Sequence, residues 1–233
     1  MNIALFGYGR MGKMIEQIAI NRNHTIVAKI DADTTEIDFS NIDVAIDFSL
    51  PDAAFGNIEK CINNNTPIIS GTTGWLNRYD EAVTLCKQKQ GAFIYASNFS
   101  LGVNIFFELN SYLAKMMKSL EQYNVTMEEI HHTKKLDAPS GTAITLAEGI
   151  LEHSKYKGWQ LNNADENHIP IVAKRIPEVP GTHTVSYNSK VDSIDITHTA
   201  HNREGFALGA VIAAEWIIGK AGVFSMKDVL ELN

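Results

Sequence analysis

Two adjacent histidines, His131 and His132, stand just ahead of Lys135, and Asp137-Ala138-Pro139-Ser140-Gly141-Thr142 follows at once. An imidazole can move a proton near neutral pH, and a lysine supplies a compact positive charge. From Ala143 to Ile150 the apolar residues recur at helical spacing, so a helix starts at Pro139 or Ser140. The N–H groups of Gly141 and Thr142, with the Thr142 hydroxyl, then form a seat for an anion at the helix start. Lys plus Arg number 20 against 27 Asp plus Glu, a net charge of −7. A compact cationic loop in such a chain calls for an explanation, and an anionic substrate such as a carboxylate supplies one. The plain alternative is a solvated basic turn followed by a helix cap. No metal is expected: His131 and His132 are accompanied by neither a cysteine ligand pattern nor H-E-x-x-H.

A second set of residues reads as a nucleotide cradle. Gly7-Tyr8-Gly9-Arg10-Met11-Gly12 is a full G-x-G-x-x-G. The apolar run Ile3 to Phe6 precedes it, and a helical pattern through Met14, Ile15, Ile18 and Ala19 follows. In that order Gly7 permits the sharp turn, Gly9 lets a pyrophosphate approach the backbone, and Gly12 lets helix and strand pack closely. His24 to Ile30 reads as the next strand, ending at Asp31, where a carboxylate would accept from the ribose hydroxyls and repel a 2′-phosphate. The residues after it, Ala32 to Glu36, include no Lys or Arg. NADH is therefore expected to serve at least as well as NADPH, although Arg10 could reach round to a phosphate.

These side chains need elements to hold them. Strand and helix patterns alternate through the first hundred residues: a strand at 44–48, a helix from Pro51 to about Asn63, a strand at 66–69, a helix over 78–89 and a strand at 91–95. This is a parallel α/β sheet of the Rossmann type, and its ligands bind beyond the carboxyl ends of the strands. Gly71, Thr72 and Thr73 in one such loop, and Ala96, Ser97, Asn98 and Phe99 in another, are candidate cofactor contacts. Cys86 lies on an apolar helix face and reads as core.

After Leu101 the pattern changes. Residues 103–120 form a connecting helix, expected to pack on the cofactor domain, with Phe106, Phe107 and Met116 as core candidates. Val125 to Ile130 reads as a strand delivering Glu129-Ile130-His131-His132. Three further strands are expected at 169–176, 182–188 and 193–200, the last with Ile194, Ile196 and His198 on one face. His183 is a secondary candidate, while His198 and His201 read as sheet packing or subunit contacts. The polar stretch 152–168 reads as loop-rich. A helix from Phe206 to Ile218 leads to a tail that returns to the first domain. The expected organisation is a dinucleotide-binding domain over 1–102, completed by 211–233. A second α+β domain, with a mixed or antiparallel sheet for substrate binding and oligomerisation, spans 103–210.

Composition removes several function classes. The net charge argues against nucleic acid as a partner. No stretch reaches 18 apolar residues, so no membrane span is expected, and no signal peptide is visible. Cys61 and Cys86 lack metal-like spacing and read as reduced thiols of a cytoplasmic protein.

Six segments together resemble the 4-hydroxy-tetrahydrodipicolinate reductase (dihydrodipicolinate reductase) family of lysine and diaminopimelate biosynthesis. They are GYGRMG at 7–12, DFS at 47–49, SGTTG at 70–74, ASNFSLGVN at 96–104, EEIHHTKKLDAPSGTA at 128–143 and HTAHNREGFALGA at 198–210. The resemblance implies reduction of 4-hydroxy-2,3,4,5-tetrahydrodipicolinate to tetrahydrodipicolinate with NADH or NADPH: water is lost and hydride adds at C4. It implies His131 and Lys135 as catalytic, with His132, Lys135, Gly141 and Thr142 on the substrate. Gly7 to Gly12, Asp31, Gly71 to Thr73 and Ala96 to Phe99 fall on the cofactor. It also implies a homotetramer and a domain closure. Many members carry Arg after the ribose-binding acid, where this chain has Ala32, and the region around 155–180 is shorter here than in longer members.

Overall fold

The computed structural model describes residues 1–31, 33, 34 and 36–232. The chain divides into two compact units, Met1–Leu101 with Glu204–Asn233, and Gly102–Arg203.

The first unit opens with β1 (Asn2–Phe6), α1 (Arg10–Asn21) and β2 (Thr25–Ile30). It continues through β3 (Val44–Asp47), α2 (Pro51–Asn63), β4 (Ile68–Ser70), α3 (Tyr79–Lys89) and β5 (Ala92–Tyr95). The strands are short apolar runs buried on both faces, as parallel strands covered by helices must be. Pro51 opens α2, where its missing N–H costs nothing and its fixed φ suits the helix. All pairings in this sheet are parallel, in the order β11-β5-β4-β3-β1-β2, where β11 (Gly222–Phe224) comes from the end of the chain. The strand order reverses between β1 and β3, and in open sheets ligands bind beyond the strand ends at such a point.

The chain returns to this unit through α6 (Glu204–Ile217) and α7 (Met226–Val229). Residues 204–210, read from the sequence with the second domain, are the start of α6. Its alanines and Val211 pack with Ile3, Leu5 and Ile94. At Gly209 an added Cβ would stand 1.7 Å from the Phe99 carbonyl oxygen, so only glycine lets this helix approach.

The second unit holds nearly all of α4 (Leu101–Met117), then β6 (Asn124–His131), α5 (Gly141–Leu151), β7 (Gly158–Leu161), β8 (His168–Arg175), β9 (Gly181–Asn188) and β10 (Ser193–Ala200). The mixed sheet runs β10-β9-β6-β8-β7, parallel across β6/β8 and β7/β8 and antiparallel elsewhere. One face is covered by α4 and α5, with Phe106, Leu146, Ile150, Met127, Ile171 and Val185 in the core.

One expectation is corrected here and one is made specific. Met116 is exposed, and Leu113 and Met117 take the core positions of α4, because the buried stripe falls to either side of the expected place. Within the loop-rich stretch 152–168, Gly158–Leu161 forms β7 at the sheet edge, beside β8.

Candidate active site

The cofactor half of the site grows out of the β1 turn. Gly7 adopts φ +86°, and a Cβ there would stand 2.3 Å from the Phe48 carbonyl oxygen, so the loops after β1 and β3 touch through a glycine. A Cβ on Gly12 would meet the Gly7 carbonyl oxygen at the same distance. Gly9 differs, with nothing within 4 Å of its Cβ position. The protein itself does not need that space, and an approaching pyrophosphate does. Gly9 is also the N-cap of α1, with no side-chain cap, so the helix presents backbone N–H groups of Arg10 and Met11 there. The residues therefore fit a dinucleotide. Asp31 closes β2; its Oδ1 accepts from Tyr8 N at 2.9 Å, which fixes the carboxylate beside the turn. Ala32, the position that departs from the family pattern, lies outside the described residues.

The loops after β3 and β4 are tied to one buried carboxylate, Asp47, which sequence patterns do not mark as a contact. It accepts from Ser49 Oγ at 2.6 Å, Asn57 Nδ2 at 3.0 Å, Ser70 Oγ at 2.9 Å and Thr72 Oγ1 at 2.8 Å. Burial raises its carboxyl above the ordinary value, against the pull of these four donors. Thr72 Oγ1 also accepts from Ser49 N, and the Thr72 carbonyl accepts from Trp75 Nε1. Thr72 is thus a buried brace for the loop, while Thr73 beside it is exposed. Gly71 lies against the Phe48 ring. The Phe99 side chain is buried in the core, so Phe99 can offer a ligand only its backbone, whereas Ser97 beside it is exposed.

The substrate half is built by sheet register. The inward face of β6 reads Val125, Met127, Glu129, His131, apolar at one end and charged at the other. Opposite Glu129 on β9 is His183, and beside His131 on β8 is Arg175. Glu129 is fully buried. Its Oε2 accepts from Ser140 N at 2.9 Å and lies 3.4 Å from His131 Nδ1 and 3.8 Å from His183 Nε2. Its Oε1 accepts from Arg175 Nη2 at 3.2 Å. The same Nη2 donates to the Asp137 carbonyl at 2.7 Å, and Arg175 Nε donates to the Lys135 carbonyl at 3.4 Å. Arg175 thereby fastens the 135–137 loop to the sheet.

Lys135 Nζ pairs with Asp137 Oδ2 at 2.7 Å. Ser140 caps α5: its Oγ accepts from Ala143 N and pairs with His183 Nε2 at 3.0 Å. Gly141, the first helical residue, is exposed with nothing within 4 Å of its Cβ position, so the helix start is open to a ligand. His132 lies 3.4 Å from Arg203 Nη2.

Burial works to raise the Glu129 carboxyl, but the Ser140 bonds, His131 and Arg175 outweigh it and hold it below its ordinary value. Burial lowers the His131 imidazole; Glu129 opposes the shift, and Lys135 and Arg175 add to it. His183 is pushed down to about 4, first by burial and then by His131.

The amino-acid pattern points to His131, His132, Lys135, Gly141 and Thr142, and the structure sets them on one unit around the end of β6 and the start of α5. It misses Glu129, Arg175 and Ser140 as parts of the same cluster. The available signal is alternation: Glu129 and His131 are two apart on a strand and share a face.

Two family models match the chain: dihydrodipicolinate reductase, N-terminus, over residues 1–99, and dihydrodipicolinate reductase, C-terminus, over residues 102–230. A 4-hydroxy-tetrahydrodipicolinate reductase of Christiangramia forsetii is 63% identical over 233 residues, covering 99% of this chain and 98% of the relative. One of Neisseria gonorrhoeae is 31% identical over 267 aligned positions, covering 100% of this chain and 98% of the relative. Among solved structures, a dipicolinate-bound dihydrodipicolinate reductase from Paenisporosarcina sp. TG-14 superposes with TM-score 0.80 at 22% identity, over 97% of each chain.

Proposed function

The chain belongs to the dihydrodipicolinate reductase family, and from that membership we propose how its own residues carry the reaction. The activity is NAD(P)H-dependent reduction of 4-hydroxy-2,3,4,5-tetrahydrodipicolinate to tetrahydrodipicolinate, in lysine and diaminopimelate biosynthesis. The substrate is a cyclic imine bearing two carboxylates.

In our reading Lys135 exchanges Asp137 for one substrate carboxylate. Gly141 N, Thr142 and the start of α5 receive the other, and His132 borders the same ligand. His131 donates the proton that completes the reduction. Hydride addition builds negative charge on the conjugated imine, and a donor already in place relieves it without reorganisation. Bound NAD(P)H supplies the hydride; the turn Gly7 to Gly12, Asp31, Gly71 to Thr73 and Ala96 to Phe99 would hold it. Asp31 favours NADH at least as much as NADPH. We propose a cytoplasmic homotetramer, as the family resemblance implies. No helix among the described residues is long and apolar enough to cross a membrane.

The observation that carries this reading is the Arg175 guanidinium, bonded at once to Glu129 beside His131 and to the loop that bears Lys135. Together with the Ser140 N bond to the same Glu129, it holds a proton donor, a cation and an open helix start at one strand end. Freshly made substrate with NADH or NADPH, followed at the nicotinamide absorbance, tests it. Turnover with wild type and near-normal turnover with Lys135→Ala or His131→Ala would remove the altered residue from the catalytic role.

A further inference from the structure

Among the described residues, the most buried charged cluster in the second unit is Glu129 with His131, His183, Ser140 and Arg175, and the reaction as read above uses only His131. Two chemistries could explain a carboxylate between two imidazoles. One is a metal site, since one ligand atom from each of Glu129, His131 and His183 lies within 4.8 Å of the others. The neighbours argue against it. Both carboxylate oxygens are already bonded, one to Ser140 N and one to the Arg175 guanidinium, and a cation placed on that carboxylate would face Arg175 close by. The other is proton holding, and the contacts suit it.

We propose that Glu129 is a positioning residue of the reaction: its carboxylate holds a proton on Nδ1 of His131 and so leaves Nε2 of that ring as the donor to substrate. The inference rests on the reading of His131 as proton donor. An ionised carboxylate can only accept, so the ring nitrogen facing it must carry the hydrogen. Nδ1 lies 3.4 Å from Glu129 Oε2 and has no aligned hydrogen-bond partner among the described residues. That is an ion-pair contact poised to shorten when the ring takes a second proton. Nε2 points the other way, against Gly181, where an added Cβ would stand 3.1 Å from it.

The surroundings explain why the carboxylate is needed. Burial disfavours the imidazolium, and Lys135 and Arg175 repel it; Glu129 is the largest opposing influence. His183 cannot take the role of counter-cation, because it is held neutral by burial. Its Nε2 is instead paired with Ser140 Oγ. Glu129 thus offsets part of the fall that burial, Lys135 and Arg175 impose on His131, and so favours the doubly protonated ring that can give a proton from Nε2. The groups facing the pair are Arg175 from β8, His183 from β9, His198 near His183 from β10, Lys135 and Asp137 from the loop, and Ser140 from the start of α5.

The test compares Glu129→Gln, Glu129→Asp and His131→Asn with wild type in kcat against pH, substrate KM, NADH binding and thermal melting. Glu129→Gln should move the alkaline limb of kcat to lower pH by about 1 unit or more. Its kcat at pH 8 should fall about 10-fold, while substrate KM and NADH binding change little. Glu129→Asp, which keeps the charge, should return the limb toward wild type. A limb that stays in place while kcat, KM and melting all decline together marks a structural role and overturns the inference. Should Glu129→Gln fail to fold, ¹⁵N-histidine spectra of wild type decide, with His131 assigned by difference against His131→Asn. A protonated Nδ1 at the working pH supports the inference and a bare one sinks it. Stoichiometric zinc binding to wild type that Glu129→Gln abolishes overturns it in favour of a metal site. Wild-type kcat in His131→Asn defeats the reading of His131 itself. A slow His131→Asn beside an unmoved limb in Glu129→Gln defeats the inference alone.

Discussion

Lys135 meets its carboxylate partner already in the structure: Asp137 Oδ2 sits 2.7 Å from its ammonium. A substrate carboxylate has only to replace one anion by another, and no isolated charge need be created. Lys135→Ala removes that exchange while the glycine turn of the other unit is untouched. It should lower kcat/KM about 100-fold, from a lost charge-assisted bond of about 3 kcal/mol, with NADH binding by fluorescence titration nearly unchanged. His183 makes a different residue-scale claim. Its imidazole falls from an ordinary 6.5 to about 4 in the folded protein. Between those values the unfolded chain binds more protons than the native one, so stability rises with pH through that window and is lost as pH falls through it. The contribution is on the order of 3 kcal/mol for a group so little exposed. Urea melts from pH 7 down to pH 4 should show the slope, and His183→Gln should flatten it.

At the scale of elements, the substrate half depends on where β6, β8 and β9 stand in register. Glu129 faces His183 and His131 is beside Arg175 only in this pairing, and a slip of one residue would send all of them to the other face. The next step of the β6/β9 ladder sets Gly181 against His131, where a methyl group would press on Nε2 at 3.1 Å. Gly181→Ala should therefore tilt the ring and lower kcat about 10-fold, with melting shifted by less than for core substitutions. An unchanged kcat would mean the ring has room to move. In the other unit the buried carboxylate of Asp47 joins the ends of β3 and β4 through four donors. Asp47→Ala leaves those donors unpaired and should destabilise the protein by about 2–4 kcal/mol. Surviving enzyme should show a raised KM for the cofactor, measured under conditions where it remains folded.

What could be read in advance follows from the same geometry. The glycine turn, the alternating strands and the helix after DAPSGT are local patterns, and local patterns survive in a sequence. The partnership of Glu129 with His183 and Arg175 joins three strands far apart in the chain, so only the strand alternation of β6 hinted at half of it. Asp47 was visible within DFS, yet its four donors come from separate segments. Gly158–Leu161 pairs through its backbone at a sheet edge, and a short strand flanked by polar residues shows no periodicity.

For the molecule as a whole, the net charge of −7 repels an anionic cofactor at long range, and binding must be won by the local field of the turn. We expect that field to decide between the two nicotinamide cofactors. The exposed Asp31 carboxylate is held against the turn by Tyr8 N, which leaves Oδ2 as the oxygen we assign to the ribose hydroxyls. A 2′-phosphate would have to approach the same carboxylate. Of the cations near Tyr8, Lys29 is already paired with Glu16 at 2.7 Å, while Lys13 lies 5.9 Å from the Tyr8 ring centre. Arg10, exposed at the start of α1, is the one we expect to offset the repulsion in part. The kcat/KM ratio of NADH to NADPH should therefore be one or greater. It should fall about 10-fold in Asp31→Ala, which removes both the ribose acceptor and the repulsion. Raising ionic strength should narrow the wild-type ratio, because exposed charges are screened over about 10 Å at 0.1 M salt, and should change the Asp31→Ala ratio less. A strong wild-type preference for NADPH, persisting at every salt concentration, would show that Asp31 does not set the choice.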